Sequence, residues 1–288
     1  MIHRELAPEL IQTLASRIRD AEYILIGAGA GLSADAGHDY LESAEFLKRY
    51  PYLERVGVHC RYHSIGFEWP AKSMEWAFYA RQLEQDLYGA PPHPEPYLHL
   101  RELTDHADRW VFTSNADDLF CRLGFDPARI WTAQGTFSNL QCLRPCCDEV
   151  WDSRPYVERL LQRVDLKTGD LTDASVVPSC PRCGGDMMLN VRGGSWFVEK
   201  PYERQCVAFQ AWLRKAVEGQ LLVIEIGAGF NTPSVIRWPC EAITARSHGA
   251  HLIRINPQHP KPRFPVGERA TVVAMRASPV LSAVAGRG

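Results

Sequence analysis

The chain has 288 residues, 45% of them hydrophobic, with a net charge of −2 and a pI near 6.6. That length can bury one large core, or a core plus a small module. The charge gives no basic field for nucleic acid or an anionic membrane surface, and no apolar run approaches the roughly 20 residues of a membrane helix. The amino end, MIHRELAPELIQTLASRIRD, is an amphipathic pattern charged throughout, without the apolar centre of a signal peptide. Nine cysteines, an odd number with no export signal, point to metal ligation and reduced thiols rather than a disulfide framework. The reading is a cytoplasmic protein.

In chain order, residues 6–18 carry apolar side chains at helical spacing, and Tyr23–Ile26 is a first strand that runs into Gly27-Ala28-Gly29. Residues 30–36 open a helix, and helices follow over 43–50 and 73–88 with an irregular stretch between them. PPHPEP at 91–96 punctuates the chain. A helix near 97–103 and strands over 109–113 and 129–133 come next. Residues 138–200 change character to cysteines, prolines, glycines and short β-prone pieces, with one helix expected over 154–162. An amphipathic helix spans 202–218. The strand over 221–226 then ends in a second Gly227-Ala228-Gly229. A helix near 234–247, a strand over 251–255, a strand over 271–275 and a small-residue helix near 279–285 close the chain. Strands alternating with helices around one irregular insert predict an α/β sheet domain with a small insert.

Glycine after a buried strand lets backbone N–H groups approach a phosphate, and a following helix N-terminus adds partial positive charge. Two such turns predict a nucleotide lying across the carboxyl edge of a doubly wound sheet. Cys142-x3-Cys146 and Cys180-x2-Cys183 are pairs of the kind that close a tetrahedral thiolate site. SCPRCGG has the proline and glycines of a zinc knuckle, while Cys147 leaves the choice between itself and Cys146 open. Sulfur in all four positions leaves none for water, so the zinc is structural. Cys60, Cys121, Cys206 and Cys240 sit among apolar or aromatic neighbours and read as core thiols. Asp118 is expected to cap the helix after it.

With these residues in place, the chain resembles the sirtuins, the family of NAD-dependent deacylases and ADP-ribosyl transferases. Gly27-Ala28-Gly29 resembles the sirtuin GAG opening, and Thr113-Ser114-Asn115-Ala116-Asp117 resembles TQNID at the end of its strand. Gln134-Gly135-Thr136-Phe137 stands where sirtuins have His-Gly, with Cys142 at the offset that opens the zinc module. Gly227-Ala228-Gly229 replaces a GTS turn, and Ile255-Asn256-Pro257 resembles the Ile-Asn that holds the adenosine ribose. Four positions depart from the pattern. Gln134 replaces the catalytic histidine of deacylases, and Tyr40 stands near the place of an arginine that follows the first turn. Ser114 replaces the glutamine of TQN, and Ala228 removes a hydroxyl.

The resemblance implies NAD as co-substrate, held by Gly27, Ala28, Gly29, Tyr40, Ser114, Asn115, Asp117, Gln134, Gly227, Ala228, Gly229, Asn231 and Asn256. Asp117 would contact the nicotinamide amide. An amide at 134 cannot take the ribose proton that deacylation requires, a role worth about two to four orders of magnitude. MMLNVRGGSWFVE, residues 187–199, resembles the same stretch of the macrodomain-linked (class M) sirtuins, which carry Asn, Gln and Arg in the site and act as protein ADP-ribosyltransferases. Asn115, Gln134 and Arg192 match that trio. Asn115 would position the ribose and a water, Gln134 would hold the nicotinamide ribose hydroxyls, and Arg192 would orient the acceptor or a phosphate. The implied activity breaks the nicotinamide–ribose bond and passes ADP-ribose to an acceptor protein, a lipoyl-carrier protein among the candidates. Deacylation of a bulkier acyl-lysine, and NAD or ADP-ribose binding without turnover, are the alternatives. With the cysteines and this resemblance, the expected fold is α/β, a Rossmann-like parallel sheet with a smaller zinc-binding and helical module. The expected division is an NAD-binding domain over 1–40, 91–137 and 201–288, a helical module over 41–90 and a zinc-binding module over 138–200.

Overall fold

The protein is described by a computed structural model that covers residues 6–263 and 266–286. Residues 1–5 of the amino-terminal pattern, and 264–265 and 287–288 of the expected sheet domain, lie outside the described residues. Helix α1 (Pro8–Arg19) leads into β1 (Tyr23–Ala28), where every residue after the first is buried. Gly29 heads the short α2 (Ala30–Asp35). The next segment holds α3 (Ala44–Arg49) and α4 (Lys72–Asp86), with 3₁₀ turns where the sequence is irregular. Then come α5 (Glu95–Thr104), β2 (Asp108–Thr113), α6 (Leu119–Arg122) and β3 (Ile130–Thr132). The insert contains β4 (Gly135–Cys142), β5 (Trp151–Asp152), α7 (Arg154–Leu161), β6 (Val164–Asp165), β7 (Asp170–Leu171) and β8 (Met187–Val191). The chain closes with α8 (Glu203–Ala216), β9 (Leu221–Ile226), α9 (Arg237–Arg246), β10 (His251–Ile255), β11 (Ala270–Val273) and α10 (Ala277–Val284).

Six strands form one parallel sheet in the order β3-β2-β1-β9-β10-β11. The winding reverses between β1 and β9, the switch point where an open sheet leaves a crevice beyond the carboxyl ends of its strands. Register sets Ala28 beside both Thr113 and Ile226, and Ile226 beside Ile255. The loops after β1, β2, β9 and β10 therefore leave one edge together. Alternate strand residues face opposite sides. Ile24 and Ile26 pack with Leu14, Tyr97, Phe120 and Val280, whereas Leu25 packs with Trp110, Phe112, Phe209, Trp212 and Cys240. Helices cover both faces, which is why the strands read as unbroken apolar runs.

Two of those runs carry a buried charge. Glu225 of β9 lies beside Arg254 of β10 in the sheet register and pairs with it. Arg254 Nη1 also lies 2.6 Å from Glu241 Oε1 of α9, and Arg237 Nε lies 3.9 Å from the same oxygen. All four side chains are at most 1% exposed. Burial is the main force pushing the Glu225 carboxyl up, to about 7, with the two arginines opposing it. A buried charge set of this kind holds only while every member keeps its partner.

In the insert, β4 pairs with β5 and β8 as an antiparallel sheet. Helix α4 packs against α7. Trp76, Ala80, Leu83 and Leu87 share one apolar cluster with Leu140, Val157, Leu160, Met187 and the cysteines Cys142 and Cys180. Segments 41–90 and 138–200 thus have a common core, although a smaller aromatic cluster (Phe46, Tyr50, Tyr52, Phe78) belongs to the first alone. The expectation of four core thiols needs correcting. Cys60 and Cys240 are buried, but Cys121 is exposed and Cys206 is half-buried. On the single turn of α6 the inward positions go to Leu119 and Phe120, and Cys206 Sγ accepts a hydrogen bond from Gln210 on the outer side of α8. No helix among the described residues is long and apolar enough to cross a membrane.

Candidate functional site

The two glycine turns emerge side by side from the central strands and pack on each other. A Cβ on Gly29 would lie 2.6 Å from Ala228 Cα, and one on Gly31 would lie 2.7 Å from Gly227 Cα. Gly227 has φ +65, and a Cβ there would lie 2.6 Å from both Gly31 Cα and Leu32 N. The N–H of Gly29 donates to Ile226 O at 2.9 Å, and that of Gly31 donates to Gly227 O at 3.0 Å. Gly27 faces inward, where a Cβ would meet Cys240 Sγ. The glycines of the first turn are thus needed by the second turn and by α9, and the N–H groups of Gly29 and Gly31 have protein partners. Gly229 differs, since a Cβ there would meet nothing within 4 Å. The open side of this glycine pair lies at 229.

The loop after β2 is anchored to the first turn. Ser114 N donates to Ala28 O at 3.1 Å, and Asn115 Nδ2 donates to Gly29 O at 3.1 Å. Asp117 is buried, and burial pushes its carboxyl up to about 6 even though Ser33 Oγ donates to it at 2.5 Å and Leu119 N at 3.1 Å. The cap on α6 is therefore made by Asp117, and Asp118 makes no side-chain cap bond, contrary to expectation. Asp118 is turned into the left-handed region, and its carboxylate accepts from Thr136 Oγ1 instead. Tyr40 lies close enough to this group for Asp117 to oppose its ionisation. Burial is the larger cause that raises the phenol well above its ordinary value, and Asp86 adds to it. Tyr40 O also accepts from Tyr62 N at 2.9 Å, which ties its loop to the 3₁₀ turn of the helical segment.

Gln134 follows β3 and precedes β4. Gly135, at φ +80, leaves no room for a side chain, because a Cβ there would lie 2.1 Å from Asn190 O. Gln134 O accepts from Arg192 N at 2.9 Å, so the two residues sit on paired backbones. The Gln134 side chain has only a long contact, 3.4 Å from Nε2 to Ala133 O. The Arg192 guanidinium pairs with Glu199 at 2.7 Å and lies 4.4 Å from the centre of the Phe197 ring. Of the expected trio, Asn115 and Gln134 leave neighbouring strands of the sheet edge. Arg192 joins them by backbone pairing, with its charge held by the 197–199 segment. On the far side, Asn256 fastens its own loop: Nδ2 donates to Ala228 O at 2.9 Å, and Oδ1 accepts from Gln258 N and His259 N at 3.1 and 2.8 Å. Asn231 is exposed beyond the second turn.

The sulfurs of Cys142, Cys146, Cys180 and Cys183 all lie within 4.8 Å of one another. Cys142 to Cys183 is 3.7 Å and Cys146 to Cys180 is 3.6 Å. Zinc bonded to four thiolates at about 2.3 Å sets tetrahedral edges of about 3.8 Å, so the separations fit. Cys147 Sγ lies 3.9 Å from Cys146 Sγ, outside the four. The knuckle is shaped by Cys180 N donating to Gly185 O at 2.7 Å and Gly184 N to Cys180 O at 2.8 Å.

No protein-family model matches the chain. A relative from Fusarium oxysporum f. sp. cubense, described as a probable bifunctional ADP-ribose hydrolase/ADP-ribosyltransferase, is 35% identical over 245 residues, 83% of this chain. The chain spans 41% of that relative's length. A protein ADP-ribosyltransferase from Staphylococcus aureus is 24% identical over 85% of this chain and 77% of its own. The structure of a Sir2 homolog–NAD complex shares the fold, with a TM-score of 0.62 at 16% identity over 96% of this chain and 92% of that one. The chain has the fold of the Sir2 proteins, the sirtuins.

For a chain of this fold, two groups have to fit. Zinc fits the four cysteine sulfurs with no coordination position left over, which makes it a structural ion. NAD fits the carboxyl edge at the switch point, where the open face at Gly229 leaves room for close approach of a ligand to backbone. The sequence patterns missed two features of this sheet edge. One is the buried charge set behind the second turn, signalled only by a lone Glu and a lone Arg inside apolar strands. The other is the contact between the two turns, which has no local signal at all. The contact makes a prediction. Gly29→Val forces a branched side chain into the Ala228 backbone and should lower stability by about 3 kcal/mol or more. Gly229→Val should keep its melting temperature and weaken NAD binding about tenfold or more. Thermal melts and titration calorimetry on both variants check this, and the reverse pattern would refute the assignment of the open face.

Proposed function

We propose that this chain is a sirtuin, an NAD-dependent protein ADP-ribosyltransferase related to the macrodomain-linked subgroup. Gln134 carries the reading, because it occupies the head of β4 with its backbone paired to Arg192 and a side chain nearly free of protein partners. An amide there can donate to and accept from ribose hydroxyls but cannot serve as a base. The names of the Fusarium and Staphylococcus relatives support the same activity. NAD supplies the scissile bond: nicotinamide leaves with the electron pair of C1′–N, and a lone pair of the acceptor forms the new bond to C1′ while the acceptor's proton passes to water. Asn115, tied to Gly29 O through one N–H, holds the ribose and an attacking group with the rest of its amide. Gln134 fixes the ribose hydroxyls. Arg192 offers a cation at the rim, oriented by Glu199 and Phe197, for a phosphate or an acidic acceptor.

The acceptor is a protein side chain, and the subgroup resemblance makes a lipoyl-carrier protein the first to test. The domain division that goes with this reading puts NAD on 1–40, 91–137 and 201–288. Incubation with NAD and a carrier protein, followed by mass spectrometry, decides the function. Nicotinamide release with an ADP-ribose adduct on the carrier or on another lysate protein is the expected result. Loss of an acyl group from lysine with no adduct anywhere would replace the proposal by deacylation. No nicotinamide at saturating NAD would leave a binding module.

A further inference from the structure

We propose that Asp118 is a positioning residue that clasps the Asn115 segment to the Gln134 segment and so sets the spacing of the two amides. The inference rests on the roles given above to Asn115 and Gln134. Among the described residues, Asp118 is the one non-glycine residue with positive φ, at 54°. A left-handed conformation is unfavourable for a residue with a Cβ, and it persists where the surroundings hold it. Helix capping does not account for it, because the α6 cap comes from Asp117.

The bonds Asp118 does make account for it. Its Oδ2 accepts from Thr136 Oγ1 at 2.6 Å and from Ser138 Oγ. Beside them, Phe137 N donates to Ala116 O at 2.8 Å, and Ser138 N donates to Thr136 Oγ1 at 3.1 Å. The 114–118 turn and the first residues of β4 are thereby stitched together across the site. The other side of Gln134 is already fixed, since Gly135 is pressed against Asn190 O and Gln134 O is bonded to Arg192 N. Asn115 is fixed to the first turn through Gly29 O. The Asp118 carboxylate joins these two fixed units through side chains. Turning it inward requires the left-handed backbone, so the strain and the clasp are one feature.

Asp118→Gly removes the carboxylate and relieves the backbone strain together, while Asp118→Asn tolerates the left-handed region and keeps an acceptor oxygen. A purely structural aspartate and a clasp then differ in their readouts. For Asp118→Gly we expect a melting temperature within about 3 °C of wild type. We also expect amide exchange across residues 134–140 about tenfold faster. Nicotinamide release should fall about tenfold or more, with NAD affinity changed less than about threefold. Asp118→Asn should return both exchange and turnover to within about threefold of wild type. Unchanged exchange in Asp118→Gly, full turnover in that variant, or an Asn variant as defective as the Gly variant each overturns the proposal. If wild type itself releases no nicotinamide, the transferase reading falls, and the exchange comparison alone then decides the clasp.

Discussion

Cys180→Ser should lose its zinc and unfold the insert together with the helices of 41–90, leaving the parallel sheet standing. Structural zinc contributes on the order of ten kcal/mol of apparent binding energy to the module that holds it. Here Cys142 and Cys180, each 2% exposed, lie inside the apolar cluster that also contains Trp76 and Leu83 of α4. Release of the ion therefore frees the underside of α4 as well as the ends of β4 and β8. The sheet clusters have their own members and do not depend on it. Metal analysis should find no zinc in the variant, and the melting midpoint of the affected part should fall by well over 10 °C, roughly. A strong chelator added to wild type should reproduce the effect. Full zinc occupancy in Cys180→Ser would refute the ligand set. An intact environment at Trp76 after zinc loss would refute the shared core.

Asn115→Ala and Gln134→Ala should each lower nicotinamide release by about two orders of magnitude or more while NAD binding changes only a few-fold. In the proposed reaction both amides act on the reacting ribose, whereas the second turn and the loop after β10 offer a separate wall of backbone and side chain. Gln134→His adds a sharper comparison. It restores a base at the head of β4, yet Ser114 and Tyr40 still stand where the deacylase pattern has other residues, so deacetylation of an acyl-lysine peptide should stay poor. Steady-state nicotinamide assays with parallel calorimetry measure both effects. An Asn115→Ala enzyme with wild-type turnover would remove Asn115 from the reaction, and efficient deacetylation by Gln134→His would make residue 134 the sole barrier between the two activities.

The strands and the zinc pairs were legible because their signals are local. An apolar run that ends in glycine marks a buried strand and its turn, and closely spaced cysteines mark thiolate ligands. Sequence spacing left Cys146 and Cys147 as alternatives because both are near enough to Cys142. The choice depends on which Sγ points at Cys180, and this is set by the fold of 143–147. The mutual contact of the glycine turns was invisible for a different reason. Gly29 and Ala228 come together only through the pairing of β1 with β9, and no local pattern encodes that. The expected cap at Asp118 falls to Asp117 because the pattern of a cap fits either aspartate, and a left-handed aspartate has no sequence signature. Cys121 lies outside the core because its apolar neighbours occupy the inward side of a single helical turn and leave no inward place for it. Glu225 and Arg254 were the one missed feature with a readable clue: single opposite charges in two strands that otherwise read as core.

That charge set reaches the surface. Arg237 and Arg254 both donate to Lys261 O, at 2.8 and 3.2 Å, and Arg237 also donates to Ala228 O at 3.3 Å. Arg263 N donates to Glu241 Oε2 at 2.9 Å. The second turn and the 256–263 loop are thus pinned from beneath by guanidinium groups that are themselves pinned by buried carboxylates. A ligand that docks on this side meets a wall already frozen when the chain folded, and little conformational entropy is left to lose there on association. Such rigidity limits how the wall can change in descent. Losing Arg254 alone strands a carboxylate in the core, so viable lineages are expected to exchange Glu225 and Arg254 as a pair.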